Sequence, residues 1–410
     1  MNQQSSAAPQ REPPALTPGA RPRPAIWLLV GMIGLGPFTM QVLVPSLPGI
    51  GRDFGAPTST VQLTVTLYLI GVAVGQLFYG PLSDRFGRRP LLMGGLALHV
   101  LASLACALAP GIGFLVVARV AQALGACAGV VLARAVIRDA WPRDQAASVL
   151  GYVTMGMTIA PMVAPVLGSV MEQWLGWRAG MVACMAFALP LALMAWRRLP
   201  ETLPAPQPLP GPFAIWAAYR SLWAVPAFRA YAAVTACSTG VFFAFLGGAP
   251  YVVVQGMGYS PVSFALAFAA MSVLFALGNW LAGVLSRRLG VVRMLTLGTA
   301  ITTGGAVLAL GTMILAPPHI LMFFLPMGIV AIGNGMTQPN AIAAALSVRP
   351  QLAGTASALV GASQMGFGAA MTFLVSLVEH GAGIGTALTM AAVGVGTFLA
   401  LRGAKRAGGA

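Results

Sequence analysis

Acidic residues are scarce in this chain. Asp and Glu together number 8 in 410 residues, against 23 Lys and Arg, and there are only 3 His. Charged residues make up 8% of the sequence and hydrophobic residues 58%, with a mean hydropathy of +0.84. A soluble globule of this length needs far more polar surface, so a water-soluble fold is excluded and a bilayer is the expected solvent. The four cysteines, Cys106, Cys127, Cys184 and Cys237, stand singly in apolar runs without CxxC or CxH spacing. They read as small packing residues, and neither a disulfide nor a metal site is expected. No nucleophile, base and orienting group recur at a recognisable spacing, so an enzyme is not expected, and no cofactor is implied.

What the chain has instead is long apolar runs. A spanning helix needs about 20 mostly apolar residues, each adding about 1.5 Å across a core about 30 Å thick. Twelve such segments can be marked, at 26–47, 58–79, 91–109, 112–136, 146–170, 178–197, 227–253, 261–285, 292–315, 319–345, 353–378 and 383–401. Residues 1–25 are rich in Pro and polar side chains and read as a disordered cytoplasmic tail; the apolar run after them is too long for a signal-peptide core. The Pro-rich stretch 199–225, beginning LPETLPAPQPLPGP, interrupts the series at its middle. The expected fold is an all-α membrane protein of twelve transmembrane helices. It divides into a six-helix half at 26–198, a cytoplasmic linker at 199–225, a second six-helix half at 226–402 and a cytoplasmic tail at 403–410.

A repeat supports the two halves. GPLSDRFGRRP (80–90) sets Asp84 beside Arg85, Arg88 and Arg89 in a short polar loop, and GVLSRRLGVVR (283–293) copies it 203 positions later. Gly80, Leu82, Ser83, Arg85 and Gly87 recur as Gly283, Leu285, Ser286, Arg288 and Gly290, but Asp84 is replaced by Arg287. With a cytoplasmic N-terminus, only Arg52 and Arg178 fall outside and Arg119 and Arg134 lie within the fourth segment, leaving nineteen of the 23 basic residues inside. Both termini are therefore expected in the cytoplasm. Basic residues spread through short gaps are not a nucleic-acid surface. Two similar halves joined by a linker describe a transporter whose halves rock about a site near mid-membrane; nothing resembles a channel's selectivity filter.

Several stretches resemble one family. GQLFYGPLSDRFGRRP is similar to the loop between the second and third helices of the major facilitator superfamily, and QLTVTLYLIGVAVGQ beside it resembles the Bcr/CflA type of drug-resistance exporter. RVAQALGA, with Arg119 and Gln122, resembles that superfamily's fourth-helix motif, and RAVIRDAWP the end of the same helix. APMVAPVLGS (160–169), with Pro161, Pro165 and Gly168, resembles the fifth helix of antiporters. VPSLP (44–48) closes the first helix as in the Bcr/CflA type, and FFAFLGGAPYVV (242–253) is similar to the seventh helix of amphenicol exporters. The resemblance implies the major facilitator fold, multidrug efflux in a bacterial inner membrane, a monomer, and a small-molecule substrate driven by the proton gradient. It also implies that the loop holding Gly80, Asp84, Arg85, Gly87 and Arg88 latches the two halves on the cytoplasmic side, with Arg138 and Asp139 as partners.

The residues themselves allow more than one role. An Arg in the middle of a span is costly by at least about 2.5 kcal/mol, so Arg119 should face a cavity or a partner. It either contacts substrate and senses protonation, or holds carbonyls of a neighbouring helix. Pro161, Pro165 and Gly168 share a helical face, which serves either a gate or plain close packing. Gln41, Gln62, Tyr68, Gln122, Asn334 and Gln338, with Arg119, Phe242, Phe245 and Tyr251, are expected to line an amphipathic substrate cavity. His99 reads as a satisfied structural residue. Many Bcr/CflA-type proteins carry an Asp in the first helix where this chain has Gln41. All eight acids fall in tails, loops or helix ends, so no mid-membrane carboxylate is expected. A cavity with Arg119 and no acid favours neutral or anionic substrates. Proton antiport is the default that the resemblance implies, with Asp84, Asp139 or the substrate as carrier. A facilitator or a gradient-driven metabolite exporter is the alternative.

Overall fold

The computed structural model describes residues 23–203, 211–315, 319–380 and 382–407. Residues 1–22 of the expected tail and 204–210 of the linker lie outside the described residues. Among the described residues the chain is helical, without strands. The first span is α1 (Ile26–Leu43), a 3-10 turn at Val44–Ser46 and α2 (Leu47–Phe54). Then follow α3 (Thr58–Phe86), α4 (Arg88–Ala107), α5 (Ile112–Ala140), α6 (Arg143–Leu175) and α7 (Trp177–Arg198). A short α8 (Pro212–Trp223) leads into α9 (Pro226–Pro250), which continues as a wide π turn to Gly256. The second half closes with α10 (Pro261–Leu289), α11 (Val291–Leu315), α12 (Ile320–Ser347), α13 (Ala353–Val378) and α14 (Ile384–Ala407).

All twelve expected spans coincide with helices, and among the described residues eleven spans are long and apolar enough to cross a bilayer. The twelfth is α6, which runs for 33 residues with Pro161 and Pro165 inside it. The repeat keeps its register where the sequence copies itself, since α3 at 58–86 becomes α10 at 261–289. Each copy ends on a glycine in the left-handed half of backbone space, Gly87 at φ 96° and Gly290 at φ 80°, which lets the next helix start at once.

Two boundaries move. α14 runs to Ala407 rather than stopping at 402, because Arg402, Lys405 and Arg406 sit in its last turns, where the helix dipole favours cations. The linker is not all irregular, since its second part, PFAIWAAYRSLW, forms α8 with Pro212 at the first helical position. Large apolar side chains such as Leu101, Val117, Trp280 and Leu325 are exposed around the outside, as lipid-facing surfaces require. The halves meet along α3 against α13 and α6 against α10. The turn at Val44–Ser46 touches α9 and α10 at the other end. Chain direction puts the start of α1, the α3–α4 loop and the end of α14 on one Arg-rich face.

Candidate functional site

Arg119 is fully buried in α5 and makes no ion pair among the described residues. Its Nε donates to the Thr64 carbonyl and Nη1 to the Thr39 carbonyl, each at 3.3 Å, so it ties α5 to α3 and α1. Nη1 also donates to Gln122 Oε1 at 2.6 Å, and the guanidinium lies 4.2 Å from the ring centre of Tyr68. Nη2 has no partner. The Tyr68 hydroxyl donates to the Gly36 carbonyl at 3.1 Å. Gln122 passes the network on, its Nε2 donating to Ser103 Oγ at 2.8 Å. His99 Nδ1 lies 3.0 Å from the Gln122 carbonyl and must donate there, which leaves Nε2 to accept from Thr39 Oγ1 at 3.3 Å. A neutral ring satisfies both contacts, as expected for a structural histidine. Thr39 and Ser103 complete this network, and nothing in the sequence separates them from other small polar helix residues.

Gln62 is fully buried, and among the described residues neither its oxygen nor its nitrogen has a hydrogen-bond partner. It sits where the halves meet, its Nε2 against Gly247 of α9. Gln41 is also buried, with Oε1 unpaired among the described residues, and so is the Tyr251 hydroxyl. Buried polar groups without partners are rare and mark a place where a ligand or water is owed. Tyr251 lines two adjoining cavities at the face opposite the Arg-rich one, of about 540 and 230 Å³. Both also take Thr58 and Gln255; the larger adds Glu379 and His380, the smaller Arg52.

The remaining expected cavity residues do not gather there. Phe245 is fully buried in an aromatic core with Phe268, Phe323 and Phe324, ring centres 5.4–6.2 Å away, and half-buried Phe242 packs on Phe268. Their period along α9 turns them into the second half's own core. Asn334 spends its amide on Ser238, donating to its carbonyl at 3.1 Å and accepting from its hydroxyl at 2.7 Å. Gln338 and Gln364 both donate to Thr239 Oγ1, at 3.2 and 3.1 Å. These are helix-to-helix bonds within one half.

On the Arg-rich face, Arg88 is the hub. Its side chain is 5% exposed and pairs with Asp84 at 2.7 Å and Asp139 at 2.9 Å, and Nη1 also meets Ser83 Oγ. The cluster therefore joins the ends of α3, α4 and α5. Glu201, from the start of the linker, accepts the backbone N–H groups of Arg88 and Arg89, each at 3.0 Å, and those of Thr202 and Leu203, each at 2.9 Å. A carboxylate there meets both the free N–H groups and the positive end of the α4 dipole. Its place in the LPET run directly after α7, in a chain so poor in acid, was the available signal. Two expectations change. Arg138 is exposed and takes no part, because its position on α5 points away from Arg88 while Asp139 points toward it. The loop's described polar contacts end within the first half and the linker's start, so they do not by themselves bridge the halves. Arg85 lies over its neighbour Phe86. In the second copy Ser286 donates to Asn340 at 2.9 Å, and Arg287 and Arg288 are exposed, so the charged hub has a neutral counterpart.

In α6, Gly168 lies directly against the Val42 carbonyl of α1, the close approach expected of the Pro/Gly face. Four residues further on, the Glu172 carboxylate rests on Gly49 of α2, and its Oε2 has no partner among the described residues. The two described cavities open at that same face.

Residues 29–373 match the family model described as Major Facilitator Superfamily. An uncharacterized MFS-type transporter of Bacillus subtilis (strain 168), YdgK, is 32% identical over 387 residues, 92% of this chain and 93% of that protein. A chloramphenicol resistance protein of Pseudomonas aeruginosa is 33% identical over 328 residues, covering 78% and 76%. A bicyclomycin resistance protein homolog of Haemophilus influenzae is 29% identical over 381 residues, covering 91% and 94%. Among solved structures, a D-xylose-proton symporter superposes with a TM-score of 0.75 at 18% identity, covering 92% of this chain and 96% of that one, a likeness of fold.

Proposed function

The chain belongs to the major facilitator superfamily, a multi-pass membrane transporter and not an enzyme, and we propose that it exports a small amphiphilic drug or metabolite, neutral or anionic, by proton antiport. The observation that carries this is Arg119, fully buried, with one nitrogen unpaired and no carboxylate beside it among the described residues. A fixed guanidinium in a water-poor interior repels cations and favours a polar or anionic group. The unpaired Oε1 of Gln41 and the unpaired amide of Gln62 add neutral hydrogen-bonding capacity in the interior among the described residues. Relatives named for chloramphenicol and bicyclomycin resistance support drug export. In this reading the Arg-rich face lies in the cytoplasm of a bacterium, the membrane is the inner one, and the substrate is an amphenicol-like or sulfonamide-like compound.

The test is a susceptibility panel in an efflux-deficient host. Wild type should raise resistance to neutral or acidic drugs and not to ethidium or benzalkonium. Arg119→Met, which removes the charge while keeping much of the volume, should lose that resistance while the protein still reaches the membrane. Gln41→Asp should move the profile toward cations. Resistance to the cations alone, or full resistance in Arg119→Met, would overturn the reading. A second reading, a proton-independent exporter, draws on the fact that Gln41, Gln62 and Gln122 cannot titrate. Reconstituted vesicles with an internal pH dye distinguish the two, since antiport requires substrate-induced proton movement.

A further inference from the structure

The linker helix α8 has two faces of different character. Ile215, Ala218, Tyr219 and Leu222 turn toward the protein, with Leu222 fully buried among Phe228, Ala232, Ala345 and Ala356. The other face carries Phe213, 88% exposed, Trp216, 67% exposed, and Trp223, 45% exposed, with Arg220 exposed among them. Three large aromatic side chains in water on one short helix would be an aggregation liability in a soluble linker.

The depth of α8 says what covers that face. The Tyr219 hydroxyl donates to the Leu77 carbonyl at 3.0 Å. Leu77 lies about five residues past the midpoint of α3 (Thr58–Phe86), roughly 7.5 Å along its axis. The hydrocarbon core extends about 15 Å from its centre, so Tyr219 reaches inside the apolar layer and α8 itself lies at its edge. The helix also packs on α13 and α9, so it sits beside the seam where α3 meets α13. Next to it on α3, Phe78 and Phe86 are exposed to the same outside, so the aromatic face of α8 continues the lipid-facing surface of the spans.

We propose that α8 is an interfacial helix: Phe213, Trp216 and Trp223 seat in the headgroup layer on the Arg-rich side, and Arg220, with Arg229 at the start of α9, contacts the phosphates of anionic phospholipids. Trp and Phe prefer that boundary because they are amphipathic or apolar and flat. Arg binds phosphate through a fixed fork of donors, and anionic headgroups attract it. Both arginines are exposed and make no described ion pair.

The test uses the full chain in nanodiscs of phosphatidylcholine, with and without phosphatidylglycerol. Three of the four native cysteines are buried and Cys237 is half-buried, so Phe213→Cys in a Cys237→Ala background takes a fluorescent label selectively. The label should be quenched at least twofold more by doxyl-labelled lipid than by aqueous iodide. Adding phosphatidylglycerol should deepen the lipid quenching, and Arg220→Gln with Arg229→Gln should abolish that gain. Iodide access without lipid quenching places the face in water and overturns the proposal, and so does a disulfide cross-link between two copies of the unlabelled Phe213→Cys chain. Should the labelled variant fail to fold, hydrogen exchange of 212–223 in the unmodified chain gives the same answer. Protection greater in phosphatidylglycerol discs than in phosphatidylcholine discs supports the proposal, and equal exchange in both overturns it.

Discussion

Arg88 offers a quantitative test of how the Arg-rich loop is held. Its guanidinium pairs with two acids at nearly equal distances, 2.7 Å to Asp84 and 2.9 Å to Asp139, so distance does not rank them. Exposure does, because the Asp139 side chain is 15% exposed and that of Asp84 is 47%. A partly buried charge-assisted bond is worth about 1.5–3 kcal/mol, whereas an exposed pair four residues apart on one helix is worth about 0.3–0.5 kcal/mol after screening. Double-mutant cycles with Arg88→Met and either Asp139→Asn or Asp84→Asn should therefore give couplings of about 2 and about 0.5 kcal/mol. The first exceeds the second by about tenfold in an equilibrium constant. Unfolding of the purified protein in mixed micelles, followed across each cycle, reads both values. Salt should weaken the Asp84 coupling more than the Asp139 coupling. If the Asp84 coupling equals or exceeds the other, burial does not set the strength of this hub and the ranking is wrong.

Glu201→Ala removes the acceptor of four backbone N–H groups and should destabilise the start of α4 by about 1–2 kcal/mol, read as roughly tenfold faster hydrogen exchange at residues 88–92; unchanged exchange would mean that α4 is held from elsewhere. A methyl group at Gly168 meets the Val42 carbonyl, which is backbone and cannot yield, whereas one at Gly361 meets the flexible amide of Gln76. Gly168→Ala should thus lower the yield of folded protein in size-exclusion profiles, with a penalty of about 1–3 kcal/mol, while Gly361→Ala stays near wild type. Glu172→Gln replaces a carboxylate with an unsatisfied oxygen and should leave the fold intact. If Glu172 couples transport to protons, the variant also flattens the dependence of export on external pH, and an unaltered profile eliminates it.

Hydropathy alone located the spans, because a bilayer admits few ways to hide backbone groups and long helices are the simplest. The repeat between 80–90 and 283–293 is matched in the structure by equal helix bounds and a positive-φ glycine in both halves, since the glycines recur at the required positions. The roles of single residues were harder to read. Asp84 stands in the motif while Asp139 lies 51 positions from Arg88 in the chain, yet tertiary packing makes the distant acid the more buried partner. Phe245 and Asn334 have the composition of cavity residues, but helix rotation, which composition does not encode, sends them into one half's core. α8 was hidden for a related reason. The prolines before it mark a break in structure, and its apolar face is too short to register as a span.

The scarcity of acids makes their employment informative. Asp53 holds Trp177 and Arg178, Asp139 and Asp84 hold Arg88, Glu201 holds the start of α4, and Glu379 accepts from Gly383 and Thr386 at the start of α14. Asp139 anchors Arg88 at the Arg-rich face, whereas Glu172 lies at the opposite face, where it rests on Gly49. On the antiport proposal, the two carboxylates would serve opposite faces. Neither alters the charge of Arg119, because Gln41, Gln62 and Gln122 carry no titrating group, a guanidinium is a fixed charge, and the neighbouring His99 ring has both nitrogens engaged by Gln122 and Thr39. On the antiport proposal, selectivity and energy coupling would be separated in this chain. The rate of export should change with pH, while the ratio of neutral to cationic drug exported should stay constant across the same range. Measuring both in one set of vesicles decides the point, since a ratio that shifts with pH would require a titrating group at the substrate site.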